Sequence, residues 1–362
     1  MADSVKNRST VLIPVVAALV LAGLWLNILP GSGSDAKTLI VYCAHDRIFA
    51  EQVLDDFSRE TGIRVQVRYD TEATKSLGLI NLIIQERSQP RCDVFWNNEL
   101  LGMVELKQQG LLERYQGQSW QRMPERYRDA DGYWVGFAAR MRVYIVNTHQ
   151  ASATEEALGT LLSFEPSRVA MAKPLFGTTL THYTVLWHLW GGDRLKAWHR
   201  DLRLRGIREV DGNAAVKDVV AQETCYAGMT DTDDVFVAID DGLPVEMLPV
   251  RVTSDLTERR PSDAANAAPF STICIPNTVG IIKGTKRQEA AQLLADYLAS
   301  AKAEIALAKS KSRQIPLGLI DAKELPEDVK QLVEWSQDGI DLRLLLSARR
   351  DCLEWLKTEY LK

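Results

Sequence analysis

The chain alternates short apolar runs with amphipathic stretches once its first 37 residues are passed. Thr38–Cys43 is a β-branched run that predicts a buried strand. Residues 47–61 place apolar side chains on one helical stripe, and Gly62 follows as a typical helix stop. Residues 63–69 alternate apolar and polar side chains, which predicts a half-buried strand. This succession of strands and helices predicts an α/β sheet fold.

The same pattern continues along the rest of the chain. A long strand is predicted at 136–146 and an extended segment at 271–282, with a second α/β series between them. The shorter strands are predicted at 92–96, 168–172, 207–210 and 227–231. The helices are predicted at 73–87, 99–110, 178–190, 194–204, 213–222 and 233–240. The tail after residue 287 is predicted to be largely helical, and 342–355 is its clearest amphipathic piece.

This order of elements divides the chain into two lobes, as a length of 362 residues also suggests. The long strand leads out of the first α/β series, and the second series follows it. The helical tail is predicted to cross back to the first lobe. We therefore predict that residues 37–142 and 276–362 form lobe one and that residues 143–275 form lobe two.

An uncharged apolar segment precedes the lobes. Residues 10–29 carry no charge, follow Lys6 and Arg8, and as a helix would run roughly 30 Å, enough to cross a bilayer. The upstream cations predict that everything after the segment is delivered outside the cytoplasm. Residues 34–36 offer a small-x-small cleavage site, so both a removed signal peptide and a retained membrane anchor stay open. Residues 1–36 are therefore predicted to be a leader and linker.

Composition and charge exclude several classes of protein. The chain is 46% hydrophobic and 25% charged, as in ordinary globular proteins. Its 43 Lys+Arg and 48 Asp+Glu give a net charge of −5, and it has no basic block, so nucleic acid is excluded as a partner. Its 5 cysteines form no CxxC pair, which argues against a zinc site. His149 and His199 are predicted at the surface.

Two segments share the same order of a strand, a polar loop and a helix start. They are residues 93–99, which include Asn97 and Asn98, and residues 229–235, which include Asp231. Ligands of open α/β sheets bind beyond the carboxyl ends of the strands. Two such loops that face each other would line a cleft between the lobes, and this cleft is the predicted binding site.

Nine short segments carry a resemblance to a known family. Over residues 38–320 the chain resembles periplasmic solute-binding proteins related to the ferric-iron-binding proteins, the capture components of ABC importers. The matching segments are LIVYCAHD (39–46), FSRETGIRVQVRYD (57–70), CDVFWNNE (92–99), GFAARMRVYIVN (136–147), AKPLFGTTLTH (172–182), GNAAV (212–216), AGMTDTDD (227–234), IPNTVGII (275–282) and SRQIPL (312–317).

The resemblance implies a fold, a location and partners. It implies two α/β lobes of the type II periplasmic-binding-protein kind, joined by crossing strands and closing on a ligand about a hinge. The expected protein is a periplasmic or otherwise extracytoplasmic monomer that presents its solute to an ABC permease and needs no cofactor. Whether it is also anchored by residues 10–29 stays open.

The resemblance also implies a set of cation ligands. The iron-binding relatives use a His or acidic residue after the first strand, a carboxylate after the third, and a tyrosine pair in lobe two. The matching positions here are Asp46, Asn98 or Glu99, and the pair Asp233 and Asp234, while the tyrosine pair is missing. Carboxylates suit a metal ion or an organic cation, so Asp46, Glu99, Asp233 and Asp234 are the candidate metal ligands. Helix capping is the alternative role for Asp231, Asp233 and Asp234.

A second implied feature is an anion pocket. Gly177, Thr178 and Thr179 begin a predicted helix where the iron-binding relatives hold an anion, and Asn213 falls where they contribute an amide. Backbone N–H groups at a helix start bind anions, and either Arg140 or Arg142, two apart on one face of a predicted strand, would add positive charge. A plain helix cap is the alternative role of Thr178. Trp96 would either wall the cleft and stack on a cation or pack in the core.

Together these features predict a cleft that takes a metal ion with an anion or a small cationic or zwitterionic solute. The predicted ligand-binding residues are Asp46, Trp96, Asn97, Asn98, Glu99, Arg140, Gly177, Thr178, Thr179, Asn213, Asp231, Asp233 and Asp234. No nucleophile motif, phosphate loop or HExxH motif is present, which favours binding over catalysis. The alternatives are a membrane-tethered sensory ectodomain and, third, an enzyme on the same fold.

Overall fold

The strands of the structure follow the predicted order closely. The computed structural model describes residues 38–70, 77–253 and 270–361. Its strands are β1 (Thr38–Cys43), β2 (Arg64–Tyr69), β3 (Val94–Asn97), β4 (Leu112–Glu113), β5 (Val135–Asn147), β6 (Val169–Ala172), β7 (Arg208–Val210), β8 (Ala227–Asp231), β9 (Val245–Pro249), β10 (Arg251–Val252), β11 (Ser271–Thr272) and β12 (Cys274–Ile282).

The helices pack on both sides of these strands. They are α1 (Arg47–Thr61), α2 (Leu77–Gln85), α3 (Leu101–Gln108), α4 (Gln118–Arg122), α5 (Glu155–Phe164), α6 (Gly177–Trp190), α7 (Gly192–Leu204), α8 (Asn213–Ala221), α9 (Thr232–Asp240), α10 (Gln288–Leu298), α11 (Ala301–Lys309), α12 (Glu327–Ser336) and α13 (Leu346–Tyr360). Short 3₁₀ turns lie at Glu125–Tyr127, Pro166–Arg168, Ala322–Glu324 and Leu342–Leu345.

One long strand, β5, connects two halves of the sheet. The strand order is β2-β1-β3-β12-β5-β8-β6-β7, with β4 on β12 and β9 on β5. Residues 135–141 of β5 pair with β12, and residues 142–147 pair with β8 and β9. We call β1 to β4 with β12 the first half and β6 to β9 the second half. The two halves correspond to the two predicted α/β series, while the exact lobe boundaries stay a prediction.

The local chemistry of α1 and β5 explains their bounds. α1 buries Phe49, Val53 and Phe57 on one stripe and ends at Gly62, whose φ of 69° is the left-handed conformation that glycine adopts without strain. β5 is buried at nearly every position, because it lies in the middle of the sheet with helices on both faces. Residues 135–147 therefore form a continuous buried strand that connects the two halves.

The last helix lies against both halves of the molecule. α13 packs on α6, with the rings of Trp355 and Trp187 5.8 Å apart, and Arg349 of α13 also pairs with Glu105 of α3. The sequence predicts this tail in lobe one only, whereas α6 belongs to the predicted lobe two. Pairing across such a distance in sequence has no local signal.

No helix in the described ranges has the length and apolar character needed to cross a membrane. The hydrophobic segment 10–29, where we predict a signal peptide or an anchoring helix, lies outside the described residues. The five cysteines are buried and free. Burial is consistent with their acting as small apolar side chains.

His199 is buried, which corrects the prediction that it lies at the surface. Its imidazole is 2.9 Å from the Tyr183 hydroxyl at Nδ1 and 3.2 Å from the Tyr360 hydroxyl at Nε2. Tyr360 donates its own proton to Glu209, so it accepts from Nε2–H, and Tyr183 donates to Nδ1. This arrangement holds a neutral imidazole. Burial, aided by the charge of Arg203, lowers the pKa of His199 to about 4.

Acidification should therefore destabilise the protein through His199. The unfolded chain binds a proton at this residue below about pH 6.5, whereas the folded chain does not until about pH 4. The stabilising effect is complete above pH 6.5 and is lost as the pH falls toward 4. At pH 5 the expected loss is about 2 kcal/mol. Urea unfolding at pH 7 and pH 5 measures it in wild type and in His199→Gln, which should lack this share of the pH dependence.

The matched control for His199 is an exposed histidine. His149 pairs with Glu223 on the surface, with its side chain 63% exposed. His149→Gln should keep the wild-type pH dependence between pH 7 and pH 5. If His199→Gln and His149→Gln show the same pH dependence, His199 does not control acid stability.

Candidate functional site

A cavity of about 260 Å³ lies where four helices begin. α1, α6, α8 and α9 each start at its wall, following β1, β6, β7 and β8 respectively. The carboxyl ends of parallel strands meet at one edge of a sheet, so the loops that follow them converge. The first-turn N–H groups of a helix have no partner within the helix, so these helix starts can offer hydrogen-bond donors to the cavity. The cavity is therefore the predicted cleft.

Most of the predicted ligand-binding residues line this cavity. They are Asp46, Asn98, Arg140, Gly177, Thr178, Thr179, Asn213, Asp231, Asp233 and Asp234. They come from both halves of the sheet, so the two polar loops do face each other. Their role in binding stays a prediction.

Three predicted residues do not line the cavity, and their assignment is corrected. Trp96 is fully buried, stacks on His45 at 5.4 Å and donates from Nε1 to Asn277 Oδ1, so packing is its role. Asn97 is also fully buried and donates to Glu99 Oε1 at 3.1 Å. Glu99 accepts backbone N–H bonds from Leu101 and Gly102 at 2.6 and 2.8 Å. Its carboxylate stabilises the start of α3 and does not face a cavity ligand.

Asp231 is held by a buried arginine. Arg142 Nη1 donates to Asp231 Oδ1 at 2.8 Å and to Asn213 Oδ1 at 3.0 Å, and neither arginine nor aspartate is more than 3% exposed. Asp231 is the N-cap residue of α9 but makes no side-chain cap hydrogen bond. The capping alternative is therefore wrong for Asp231, whose charge balances Arg142.

Thr178 and Asn213 are bonded to the same aspartate. The Thr178 hydroxyl donates to Asp231 Oδ2 at 2.5 Å, and Asn213 Nδ2 donates to that oxygen at 2.9 Å. The N-cap of α6 is Phe176, so the capping alternative is wrong for Thr178 as well. The predicted anion pocket at Gly177 to Thr179 therefore adjoins the acidic loop, residues 231–234, through Asp231. Gly177 has a φ of 53°, which glycine adopts without strain where the chain enters α6.

The other two aspartates of the loop lie beside this network. Arg140 Nε is 3.2 Å from Asp233 Oδ2, and the Thr230 hydroxyl donates to Asp234 Oδ2 at 2.8 Å. One carboxylate oxygen from each of Asp231, Asp233 and Asp234 lies within 4.8 Å of the others, a spacing that can hold a metal ion. Of the candidate metal ligands on the first half, Asp46 lines the same cavity and Glu99 does not.

The sequence analysis missed four charged residues of the cavity. Lys173 pairs with Asp211 at 2.7 Å, Lys217 lies four residues after Asn213 on α8, and Arg47 begins α1. Two features of the sequence could have identified these residues. Lys173 and Asp211 directly follow β6 and β7, where ligands of α/β sheets bind. Lys217 lies one helical turn after Asn213, on the same face of α8. With them the lining carries basic and acidic side chains in similar number.

A histidine behind the cavity is kept neutral. His182 is buried in α6, and burial, together with the positive charge of Arg142, holds its pKa well below the usual value. A neutral imidazole adds no charge to the site, so the aspartates, arginines and lysines determine its electrostatics.

Comparisons with known proteins identify relatives of this chain. A family model described as bacterial extracellular solute-binding protein matches residues 39–310. A curated relative, the Fe(3+)-binding periplasmic protein of Serratia marcescens, is 28% identical over 147 residues. That match covers 41% of this chain and 42% of the relative, so the alignment spans less than half of the relative's length.

Solved structures share the fold over nearly the whole chain. Iron-bound HitA from Pseudomonas aeruginosa matches with a TM-score of 0.69 at 18% identity, covering 87% of this chain and 99% of HitA. The apo ferric ion-binding protein A of Pasteurella haemolytica matches with a TM-score of 0.72 at 17% identity, covering 89% and 97%. The predicted two-lobe fold and the resemblance to ferric-iron-binding proteins are both confirmed.

Proposed function

The chain belongs to the bacterial extracellular solute-binding protein family, and from this premise we propose that it is the solute-capturing component of an ABC importer. It acts outside the cytoplasm, takes a small solute into the cavity between the two halves of the sheet, and presents it to a membrane permease. The observation that carries the proposal is the convergence of polar loops from both halves on one cavity.

The charges of the cavity favour a solute that carries both signs. Asp231 and Asp233 have arginine partners, and the starts of α6 and α8 direct N–H groups at the same space. A zwitterion would place its anionic group at Gly177 to Thr179 and its cationic group at Asp234, whose Oδ2 accepts from the Thr230 hydroxyl. A bare metal ion would have to compete with Arg142 and Arg140 for the carboxylates.

A metal ion held together with an anion is the second candidate. The spacing of Asp231, Asp233 and Asp234 favours it, and two of the similar proteins are named for ferric iron. The lining among the described residues contains no tyrosine, so the phenolate oxygens that select ferric iron in the resembling family are not supplied here. Carboxylate oxygens suit Ca²⁺, Mg²⁺ or Mn²⁺ equally.

Binding without chemical change is favoured over the alternatives. The Serratia marcescens relative and the Pasteurella haemolytica protein are named as binding proteins, which supports capture rather than catalysis. A sensory ectodomain would need a second protein to receive its signal.

The test is to identify the solute and follow its fate. Native mass spectrometry of the purified protein should detect one bound solute per chain. Calorimetry with metal ions, oxyanions and small zwitterions should then give a stoichiometry of about one for the class identified. Turnover of the solute would contradict the proposal, and so would the absence of saturable binding by any of these classes.

A further inference from the structure

Arg140 contacts both halves of the molecule. Its Nη1 donates to the backbone oxygen of Asn98 at 3.0 Å, and its Nη2 lies 2.9 Å from His45 Nδ1, both in the first half. On its other side, Nε is 3.2 Å from Asp233 on α9, which follows β8 of the second half. This is an ion pair without the alignment of a hydrogen bond. Arg140 is 2% exposed, so these contacts are shielded from water.

The position of Arg140 is set by a β-bulge two residues earlier. Phe137 pairs with Asn277 and Ala139 pairs with Pro276, which leaves Ala138 as an extra residue in β5. Ala138 has a φ of 37°, a left-handed conformation that strains any residue other than glycine. A bulge bends its strand and redirects the side chains that follow it.

Side chains, not the sheet ladder, hold the bulge in place. Glu304 Oε1 accepts the backbone N–H of Ala138 at 2.9 Å, and Asn277 Nδ2 donates to the Ala138 oxygen. Asn277 Oδ1 also accepts from Arg140 Nη2 at 3.1 Å. One fully buried amide therefore fixes both the bulge and the guanidinium that it directs into the cavity.

We propose that Arg140 is a clamp between the two lobes, a positioning residue whose ion pair with Asp233 holds the halves together at the wall of the cavity. The bulge at Ala138, which Asn277 and Glu304 hold in place, orients the Arg140 side chain toward Asp233. Surrounding contacts must compensate for the strained backbone at Ala138, and strain of this kind is found where a structure switches or positions a functional group. The clamp consists of this chain's own residues, so it goes beyond the proposed function and does not depend on the identity of the solute.

The distance between the lobes tests the clamp directly. Leu319 follows β12 of the first half and is 93% exposed, and Leu204 ends α7 between β6 and β7 of the second half and is 81% exposed. The native cysteines are buried, so Leu319→Cys and Leu204→Cys place one fluorophore on each half selectively. Single-molecule energy transfer between the two fluorophores measures the distance between the halves in protein without added solute. Arg140→Gln removes the ion pair with Asp233, so it should reduce the population of molecules with a short distance at least threefold. The matched control is Arg47→Gln, which also alters an arginine of the cavity, but one that pairs with Glu51 on its own helix. Arg47→Gln should leave the distribution unchanged.

A second pair of variants covers the case in which Arg140→Gln does not fold. Asn277→Asp removes the amide that holds the bulge and should shift the distribution in the same direction. Asn147→Asp removes a buried amide of the same chemistry, which donates to Val220 O at 3.0 Å, at the far end of β5. It should lower stability without changing the lobe distance. Equal distributions for wild type and for whichever of Arg140→Gln and Asn277→Asp folds would overturn the clamp, whatever solute the protein binds.

Discussion

Replacing Arg142 by methionine should lower the free energy of unfolding by about 3 to 5 kcal/mol, the usual effect of leaving one charge of a buried pair alone. The guanidinium is fully buried and donates to Asp231, to Asn213 and to the backbone oxygen of Met229. Methionine fills a similar volume but leaves the Asp231 carboxylate without its compensating charge. Chemical denaturation followed by circular dichroism measures the difference.

The control for Arg142 is an exposed ion pair of the same cavity. The side chains of Lys173 and Asp211 are 43% and 81% exposed, so Lys173→Met should change stability by less than about 1 kcal/mol. The double variant Arg142→Met with Asp231→Asn should recover part of the loss, because it removes the stranded charge. If Arg142→Met changes stability as little as Lys173→Met, the buried pair does not stabilise the fold.

The element order was predictable because local chemistry decides it. The stripe of Phe49, Val53 and Phe57 with Gly62 behind it defines α1 in both the sequence and the structure. The bounds of β8, Ala227–Asp231, agree with the prediction to the residue. α1 buries a regular apolar stripe and ends at a glycine in the left-handed conformation, so little in its bounds depends on distant contacts.

Contacts between distant segments were not predictable from the pattern. The sequence analysis missed the strand Val245–Pro249. This strand pairs antiparallel with β5, about 100 residues earlier in the chain, and such a pairing leaves no local pattern. His199 was expected at the surface because a lone histidine in a charged helix has no apolar signal of its own. Its burial depends on Tyr360, which lies 161 residues further on.

The site was predicted in position but not in detail. The rule that ligands bind at the carboxyl ends of strands brought Asn98, Gly177 and Asp233 to one cavity. The same rule does not say which side chain of a strand end turns inward, and Glu99 instead accepts N–H bonds at the start of α3. The sequence offered Arg142 as a source of positive charge for the site, but it did not predict that this mid-strand arginine pairs with Asp231 on the neighbouring strand.

Asp234 is the carboxylate whose charge is most readily removed without disturbing the fold. It is partly exposed to the cavity, and its Oδ2 accepts from the Thr230 hydroxyl at 2.8 Å. Asparagine keeps an oxygen acceptor for that hydroxyl and has nearly the same shape. Asp231 and Asp233, in contrast, balance buried arginines, so their replacement would change stability as well as binding.

Asp234→Asn should weaken binding of the solute found by native mass spectrometry about 100-fold, because a charge-assisted hydrogen bond to its cationic group contributes up to about 3 kcal/mol. Inorganic phosphate, which carries only the anionic group, should bind the variant at least as well as wild type. Calorimetry measures both affinities. Asp241→Asn is the matched control, since Asp241 is exposed just beyond the other end of α9. Equal solute affinity in Asp234→Asn and Asp241→Asn would show that the acidic loop does not contact a positive group, and the cavity would then be a site for anions.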